Sequence, residues 1–265
     1  MMATSNSRLA RTWLRRMAVA VVVATAGLAS ADEPPPKMFA AHAQSEYQRT
    51  RRQYELDPQN ATNVWQFAEA VFNVADFSTN KAERAAFANQ GIVASRALVA
   101  REPEMAAGHY YLAMNLGQLA RTETLGALAI VKEMEREFKV SADLDQHFDY
   151  AGPARDLGLL YRDAPGWPLS IGNPSKARSH LRQAVRLAPD YPENYLNLIE
   201  AYLKWNDADS AKRELRALDI IWPSAETMYT GEKWAQSWNR WSTHRAAARK
   251  SIEAMQRPGP NSSKN

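Results

Sequence analysis

The stretch 174-PSKARSHLRQAVRLAPDYPENYLNLIEAYLKWNDADSAKRELRALDIIWPSA-225 contains two copies of one pattern, 34 residues apart. Spacings of four and three residues place three apolar side chains on one helical face, and a proline five residues later predicts the end of the helix. The matching positions are Ala177, Leu181, Ala184 and Pro189 in the first copy and Ala211, Leu215, Leu218 and Pro223 in the second.

A partner helix precedes the second copy, because Tyr195, Leu198, Ile199 and Tyr202 follow the order W-x2-L-G-x2-Y. Together the two patterns resemble the tetratricopeptide repeat, whose unit is a pair of packed helices. Three earlier copies are more widely spaced than the regular repeat, so we expect longer loops or helices there; the copy at Leu157 matches the L-G-x2-Y core directly, and the two before it are weaker. Their central apolar positions are Phe67, Leu112 and Leu157.

One helix pair cannot bury its apolar face, whereas stacked pairs bury a continuous core. We therefore expect an all-α fold, a tetratricopeptide-like right-handed superhelix (α-solenoid) of about four helix pairs. Small residues should let paired helices approach closely, and a lone helix from Met38 to Leu56 should dock on the first pair. The small residues concerned are Ala68, Ala113, Gly158, Ala177 and Ala211.

The other end of the chain carries an apolar stripe with basic residues mostly off it. We interpret it as a terminal capping helix, with an amphipathic helix lying on a membrane as the alternative. The stripe consists of Trp234, Trp238, Trp241, Ala248, Ile252 and Met255.

The first thirty-one residues have the order of a secretory signal. Four arginines come first, the run from Met17 to Leu28 is apolar, and Ala29-Ser30-Ala31 supplies small residues for cleavage. A membrane anchor is the competing interpretation, but a span needs about 18 or more apolar residues. We predict a signal peptide over 1–31, a proline-rich leader over 32–37, a helical domain over 38–257 and a disordered tail over 258–265.

Charge and cysteine content narrow the function classes. The chain has 33 Lys and Arg against 29 Asp and Glu, and residues 1–31 hold four of the basic residues and none of the acidic ones. The expected mature chain is therefore formally neutral, which argues against a nucleic-acid partner. The absence of cysteine excludes disulfides, thiolate chemistry and a lipid attached to cysteine. We expect a periplasmic or secreted protein with no integral membrane segment after cleavage.

Three short motifs resemble a particular irregular repeat family, the T-component of TRAP transporters and related exported bacterial proteins. They are Asn115-Leu116-Gly117, Ala151-Gly152-Pro153 and the segment 165-PGWPLSIGNP-174. This resemblance implies a periplasmic helical protein that assists solute capture by a partner solute-binding protein. Family members of that description are lipoproteins, whereas this chain lacks the cysteine they require.

Motifs for catalysis, metals and cofactors do not occur in the sequence. None of the five histidines has the H-E-x-x-H spacing of a zinc site. The run Asp143, Asp145, His147 and Asp149 lacks the glycine and the final acid of a calcium loop, and we interpret it as a polar loop between repeats. We therefore expect a non-enzymatic protein with no catalytic residues, no metal and no cofactor.

The remaining candidate is the concave surface that the first helix of each pair should form. Aromatic, methionine and arginine side chains there are typical of interfaces, and a protein partner is the first hypothesis. A small-molecule ligand enclosed by Tyr110, Met114 and Trp167 is the alternative. Trp167, in a long loop, could cover the groove or fill a packing gap. The predicted groove residues are Trp65, Glu69, Asn73, Tyr110, Met114, Arg155, Arg162, Glu200 and Lys204.

The signal peptide generates a direct prediction. When the full chain is expressed in a bacterium with an envelope, the exported form should begin at Asp32, because cleavage follows the small residue Ala31. N-terminal sequencing and intact-mass spectrometry check this. Ala31→Arg should block processing, and an exported protein that retains Met1 would contradict the prediction.

Overall fold

The structure, a computed structural model, describes residues 37–123 and 126–256, and these residues form ten α-helices. The predicted signal peptide, most of the predicted leader and the predicted tail lie outside this part of the chain. The helices are α1 (Lys37–Leu56), α2 (Ala61–Asp76), α3 (Lys81–Arg101), α4 (Ala106–Ala120), α5 (Ala127–Leu144), α6 (Phe148–Asp163), α7 (Pro174–Leu187), α8 (Pro192–Lys204), α9 (Ala208–Met228) and α10 (Ala235–Gln256).

Consecutive helices pack as four pairs, α2 with α3, α4 with α5, α6 with α7 and α8 with α9. The all-α tetratricopeptide-like solenoid predicted from the sequence is confirmed. Phe67, Leu112, Leu157 and Leu198, the central apolar positions of the four copies, are all buried. Three apolar clusters follow one another along the stack and are joined by half-buried Trp65 and Trp205.

Short polar side chains fix where several helices begin. Asn80 accepts a hydrogen bond from the backbone N–H of Glu83 at 2.8 Å, and Asn173 accepts one from Lys176 at 3.0 Å. Each caps backbone donors that the first helical turn leaves without a partner. Asn173 also precedes Pro174, whose missing N–H costs nothing at the first helical position. Asn173 and Pro174 together therefore fix the start of α7.

The prediction that Pro223 ends its helix is wrong. α9 runs past Pro223 to Met228, whereas α7 does end before Pro189. Proline removes one helical hydrogen bond, but Trp222 and Ala225 on either side are both buried in the last apolar cluster. We infer that this burial favours continuation of α9 across the proline.

The two terminal helices cover the ends of the stack. α1 docks on the first pair, with the ring of Tyr54 stacked on Phe67 at 4.8 Å between centroids. α10 is the predicted capping helix and buries Trp241 and Ile252 against α8 and α9. Trp234, predicted on the same stripe, lies in the 3-10 turn Glu232–Trp234 that precedes α10. None of the helices in the described residues is long and apolar enough to cross a membrane.

Close helix approach at Gly158 gives a stability prediction. A Cβ added there would lie 2.6 Å from Cγ of Leu181 and 3.0 Å from its backbone nitrogen. Gly158→Ala should therefore lower the free energy of unfolding by about 1–3 kcal/mol through overpacking, as measured by urea denaturation. The control Gly126→Ala, where the nearest atom is 3.9 Å away, should stay close to wild type. Equal stability of both variants would contradict the packing of α6 on α7.

Candidate functional site

A polar cavity of about 160 Å³ lies on the face of the stack formed by α2, α4, α6 and α8, and α10 closes one side of it. We call this the concave cavity. Four of the predicted groove residues line it, namely Asn73, Tyr110, Met114 and Arg155. The structure therefore brings four of the predicted residues together at one site, one from α2, two from α4 and one from α6.

A hydrogen-bonded group from two helices forms the centre of the concave cavity. The guanidinium of Arg155 donates to Oδ2 of Asp149 at 2.6 Å and to the hydroxyl of Tyr110 at 3.1 Å. The same hydroxyl lies 2.7 Å from Oδ2 of Asp149 and 2.7 Å from Oδ2 of Asp156. All four groups meet because Gly152 has no side chain, and a Cβ there would lie 2.7 Å from the Tyr110 hydroxyl.

The central hydroxyl has one proton to donate but contacts two carboxyl groups. One of these contacts therefore needs a proton from the carboxyl group itself. Burial raises the pKa of Asp156 to about 6, although Arg155 and Tyr110 oppose the shift. The arrangement is consistent with a carboxylic acid at Asp156 that donates to Tyr110, which in turn donates to Asp149.

Unusual backbone geometry positions Asp149. Asp149, Tyr150 and Ala151 have φ values of 47°, 55° and 64°, so α6 begins with a left-handed turn of three residues without glycine. Left-handed backbone costs about 1–2 kcal/mol per residue for most L-amino acids. The turn brings the Asp149 side chain to Arg155 and stacks the Tyr150 ring on Tyr191 at 4.5 Å. Strained backbone of this kind is found most often at functional sites.

Residues of α8 and α10 complete the charged lining. Arg240 donates to Oε2 of Glu193 at 3.0 Å, and the indole N–H of Trp241 donates to the same oxygen. Burial opposes ionisation of Glu193, but Arg240, Arg155 and the Trp241 N–H outweigh it and lower its pKa. Glu193 is therefore a fixed negative charge that ties the capping helix to the cavity.

Two of the other predicted groove residues lie beside the cavity rather than in it. Trp65 is half-buried and stacks on Tyr111 at 5.9 Å. Glu69 has a hydrogen bond with Tyr111, and burial raises the pKa of Glu69 to about 7, with Asp149 adding to the shift. These residues fill the space between α2 and α4, so their first role in the structure is packing.

The last three predicted groove residues form a separate cluster between α6, α8 and α10. Arg162 pairs with Asp163 at 2.7 Å and lies 3.7 Å from Glu200, while Lys204 contacts Asp163 at 2.7 Å. His244 of the capping helix lies 2.8 Å from Glu200. The structure therefore divides the nine predicted residues among the cavity, a packed flank and this ion-pair cluster.

Trp167 lies in the loop between α6 and α7 and is 89% exposed, so it fills no packing gap, and it does not line the concave cavity. Backbone hydrogen bonds order this loop. The N–H of Gly172 donates to the carbonyl of Pro165 at 2.8 Å, and that of Leu169 donates to Gly166 at 3.1 Å. The loop is an ordered platform that presents an indole ring to solvent.

Sequence reasoning missed Asp149, Asp156, Glu193, Asn197 and Arg240 of the cavity lining. One signal was available, because Glu193, Asn197 and Glu200 recur at spacings of four and three in the largely apolar helix α8. This spacing puts polar side chains on one face of a buried helix. Asp149 gave no such signal, since the left-handed turn that positions it is not encoded by a glycine. Within the described ranges, no three acidic or histidine side chains form a group able to hold a metal ion.

Comparisons with known proteins agree with this architecture. The family model described as tetratricopeptide repeat matches residues 169–221. The crystal structure of a thermophilic tetratricopeptide-repeat protein from Thermus thermophilus superposes with a TM-score of 0.59 at 18% sequence identity, over 81% of this chain and 94% of that chain. No curated protein sequence matches this chain. The comparisons support the tetratricopeptide-repeat superfamily, and the structural likeness is one of fold.

The shifted pKa of Glu69 predicts a change of stability with pH. An acid with a folded-state pKa of about 7 and an ordinary unfolded value costs stability progressively as the pH rises from about 4 to about 7, with the full cost above pH 7 and none below about pH 4. Glu69→Gln should therefore raise the free energy of unfolding by about 1–3 kcal/mol at pH 8 and change it little at pH 5, as measured by denaturant titration. The exposed Glu253→Gln serves as control, and an equal gain at both pH values would contradict the raised pKa of Glu69.

Proposed function

We propose that this chain is an exported tetratricopeptide-type scaffold that binds a partner protein on its concave face. The observation that carries the proposal is the concave cavity, where charged groups from four helices converge on one face of the stack. Buried charge is costly for folding, so a cluster of this kind suits recognition better than stability. Tetratricopeptide-repeat proteins are generally scaffolds for protein interaction, which supports a non-enzymatic role.

Export and an accessory role in TRAP-type solute uptake belong to the same proposal. The order of charged, apolar and small residues before Asp32 supports export. The motifs around Asn115, Gly152 and the 165–174 loop support a likeness to the T-component of TRAP transporters. On this proposal the partner is a periplasmic solute-binding protein. The chain departs from the lipoproteins of that family in having no cysteine for a lipid anchor.

The exposed loop of Trp167 supplies a second contact for such a partner. Tryptophan is enriched among the residues that dominate binding energy at protein interfaces. The indole is already held on an ordered loop, so little conformational freedom is lost on binding. We propose that Trp167 and the concave cavity engage the same partner.

Direct binding of a small molecule is the second candidate function. The rings of Tyr110 and Tyr191 line the concave cavity, as expected for a ligand pocket. Its volume of about 160 Å³ is below the roughly 300–1,000 Å³ of pockets that take drug-sized ligands. The cavity is therefore suited to one side chain of a partner or to a solute of a few heavy atoms.

Affinity capture tests the proposed function. The tagged full chain, expressed with its predicted signal peptide, should capture a solute-binding protein from the envelope fraction. Trp167→Ala should weaken that capture by at least about tenfold, in line with a tryptophan at the centre of an interface. The control Ile220→Ala, also at an exposed apolar residue but on α9, should bind like wild type.

Mass spectrometry of the same eluate separates the two candidate functions. A solute-binding protein whose yield depends on Trp167 supports the scaffold. A bound small molecule without any partner protein supports the direct carrier. Retention of the chain in the cytoplasm would contradict the proposal of export.

A further inference from the structure

The charges that line the concave cavity are not fully paired. Asp76 contacts Arg121 at 2.7 Å, Asp149 contacts Arg155 at 2.6 Å, and Glu193 contacts Arg240 at 3.0 Å. Asp156 has no cation of its own, because its nearest one is Arg155 at 3.7 Å. That guanidinium is already hydrogen-bonded to Asp149. One carboxyl group in the cavity is therefore without a matching positive charge.

A second observation points to a ligand at the same place. Asn197 lines the concave cavity and is only 7% exposed, and its amide has no hydrogen bond to any side chain or backbone group in residues 37–123 and 126–256. Buried polar side chains nearly always have a partner. The Asn197 amide therefore presents a free acceptor oxygen and free N–H donors to the cavity, and a ligand can satisfy them.

The lining of the cavity favours an organic cation. The ring of Tyr191 borders the cavity, but Tyr150 stacks on it at 4.5 Å and Cζ of Arg155 lies 5.7 Å from its centroid. The attraction for a cation therefore comes from the unmatched carboxyl group of Asp156 and the free acceptor oxygen of Asn197. The acidic side chains of the described part of the chain do not group as ligands for a metal ion. An organic ammonium or guanidinium therefore fits the cavity better than a metal ion or an anion.

We propose that the concave cavity binds a cationic nitrogen group, with Asp156 as its counter-ion and the Asn197 amide oxygen as a hydrogen-bond acceptor. This inference rests on the proposed function, since it specifies what the groove of the scaffold recognises. The group is an ammonium or guanidinium of limited size. Its source is either a lysine or arginine side chain of the partner or a free amine.

Proton uptake by Asp156 couples this binding to pH. Asp156 faces Arg155 and Asp149 of its own helix, Tyr110 of α4 and Glu193 of α8, and Asp76 of α2 and Arg240 of α10 line the same cavity. With a pKa of about 6 in the empty cavity, Asp156 is largely neutral at pH 5 and largely ionised at pH 7.5. A cation prefers the ionised form, so its affinity should fall about tenfold between pH 7.5 and pH 5.

Isothermal titration calorimetry on the purified full-length protein tests the proposal with three probes. Nα-acetyl-L-arginine amide represents a side chain of a polypeptide, putrescine represents a free amine, and succinate is the anionic control. We expect at least one cationic probe to bind at pH 7.5, to bind about tenfold more weakly at pH 5, and to bind more tightly than succinate. Binding of the arginine probe alone identifies a polypeptide side chain as the source, and binding of putrescine alone identifies a free amine.

Two variants and a control assign the binding to the cavity. Asp156→Asn keeps a hydrogen-bonding group beside Tyr110 but removes the charge, so cation affinity should drop at least about tenfold and its pH dependence should disappear. Asn197→Leu removes an amide that has no hydrogen bond within residues 37–123 and 126–256, so the protein should fold while the acceptor is lost and binding with it. Asp143→Asn, at an exposed position in α5, should bind like wild type. Circular dichroism verifies the fold of each variant.

The proposal is overturned if succinate binds more tightly than both cationic probes, if no cationic probe binds, or if both cavity variants bind cations like wild type. Capture of a solute-binding protein by Asn197→Leu then tests the proposed scaffold function separately from cation binding. Undiminished capture leaves the scaffold intact without a cationic group in its cavity. Failure of the wild-type chain to capture any partner removes the scaffold itself.

Discussion

The distance between paired helices sets the rest of this structure. α6 and α7 approach until Leu181 rests on the backbone at Gly158, where no Cβ intervenes. Small residues at Ala113 and Ala211 are buried at the corresponding interfaces. Because the two helices of each pair approach closely, the first helices of neighbouring pairs can contact one another through their side chains. The meeting of Tyr110 with Arg155 is a consequence of that spacing, since the two residues belong to different pairs.

The polar groups at the centre of the concave cavity lower the stability that burial of the surrounding apolar residues provides. Ionised groups lose hydration when they are buried, and the loss is recovered only where partners and geometry are good. Arg155 and Asp149 meet that condition, whereas Asp156 retains its proton up to about pH 6. Burial raises the pKa of Glu69, on α2, in the same way. The concave face is therefore a region where burial controls the protonation of acidic side chains.

Periodicity in the sequence was sufficient for the helices and the core, because burial at Leu181 or Leu218 depends on neighbours at regular spacing. Periodicity did not predict the end of α9, because the burial of Trp222 is a tertiary effect that outweighs the helix-breaking tendency of Pro223. The site was only partly predictable for the same reason. Counting along the repeat predicts which residues share a face. It does not predict the packing of α10, which determines whether that face is exposed to solvent or, as at Glu200, contacts His244.

The left-handed turn at Asp149, Tyr150 and Ala151 has a consequence for how this chain can vary. Glycine at Tyr150 would relax the backbone, yet it would also delete the ring that stacks on Tyr191. Substitutions that ease folding at this turn therefore loosen the aim of Asp149. At this turn, relief of backbone strain competes with a fixed position for the Asp149 side chain. Substitutions that achieve both should therefore be rare among variants selected for stability alone.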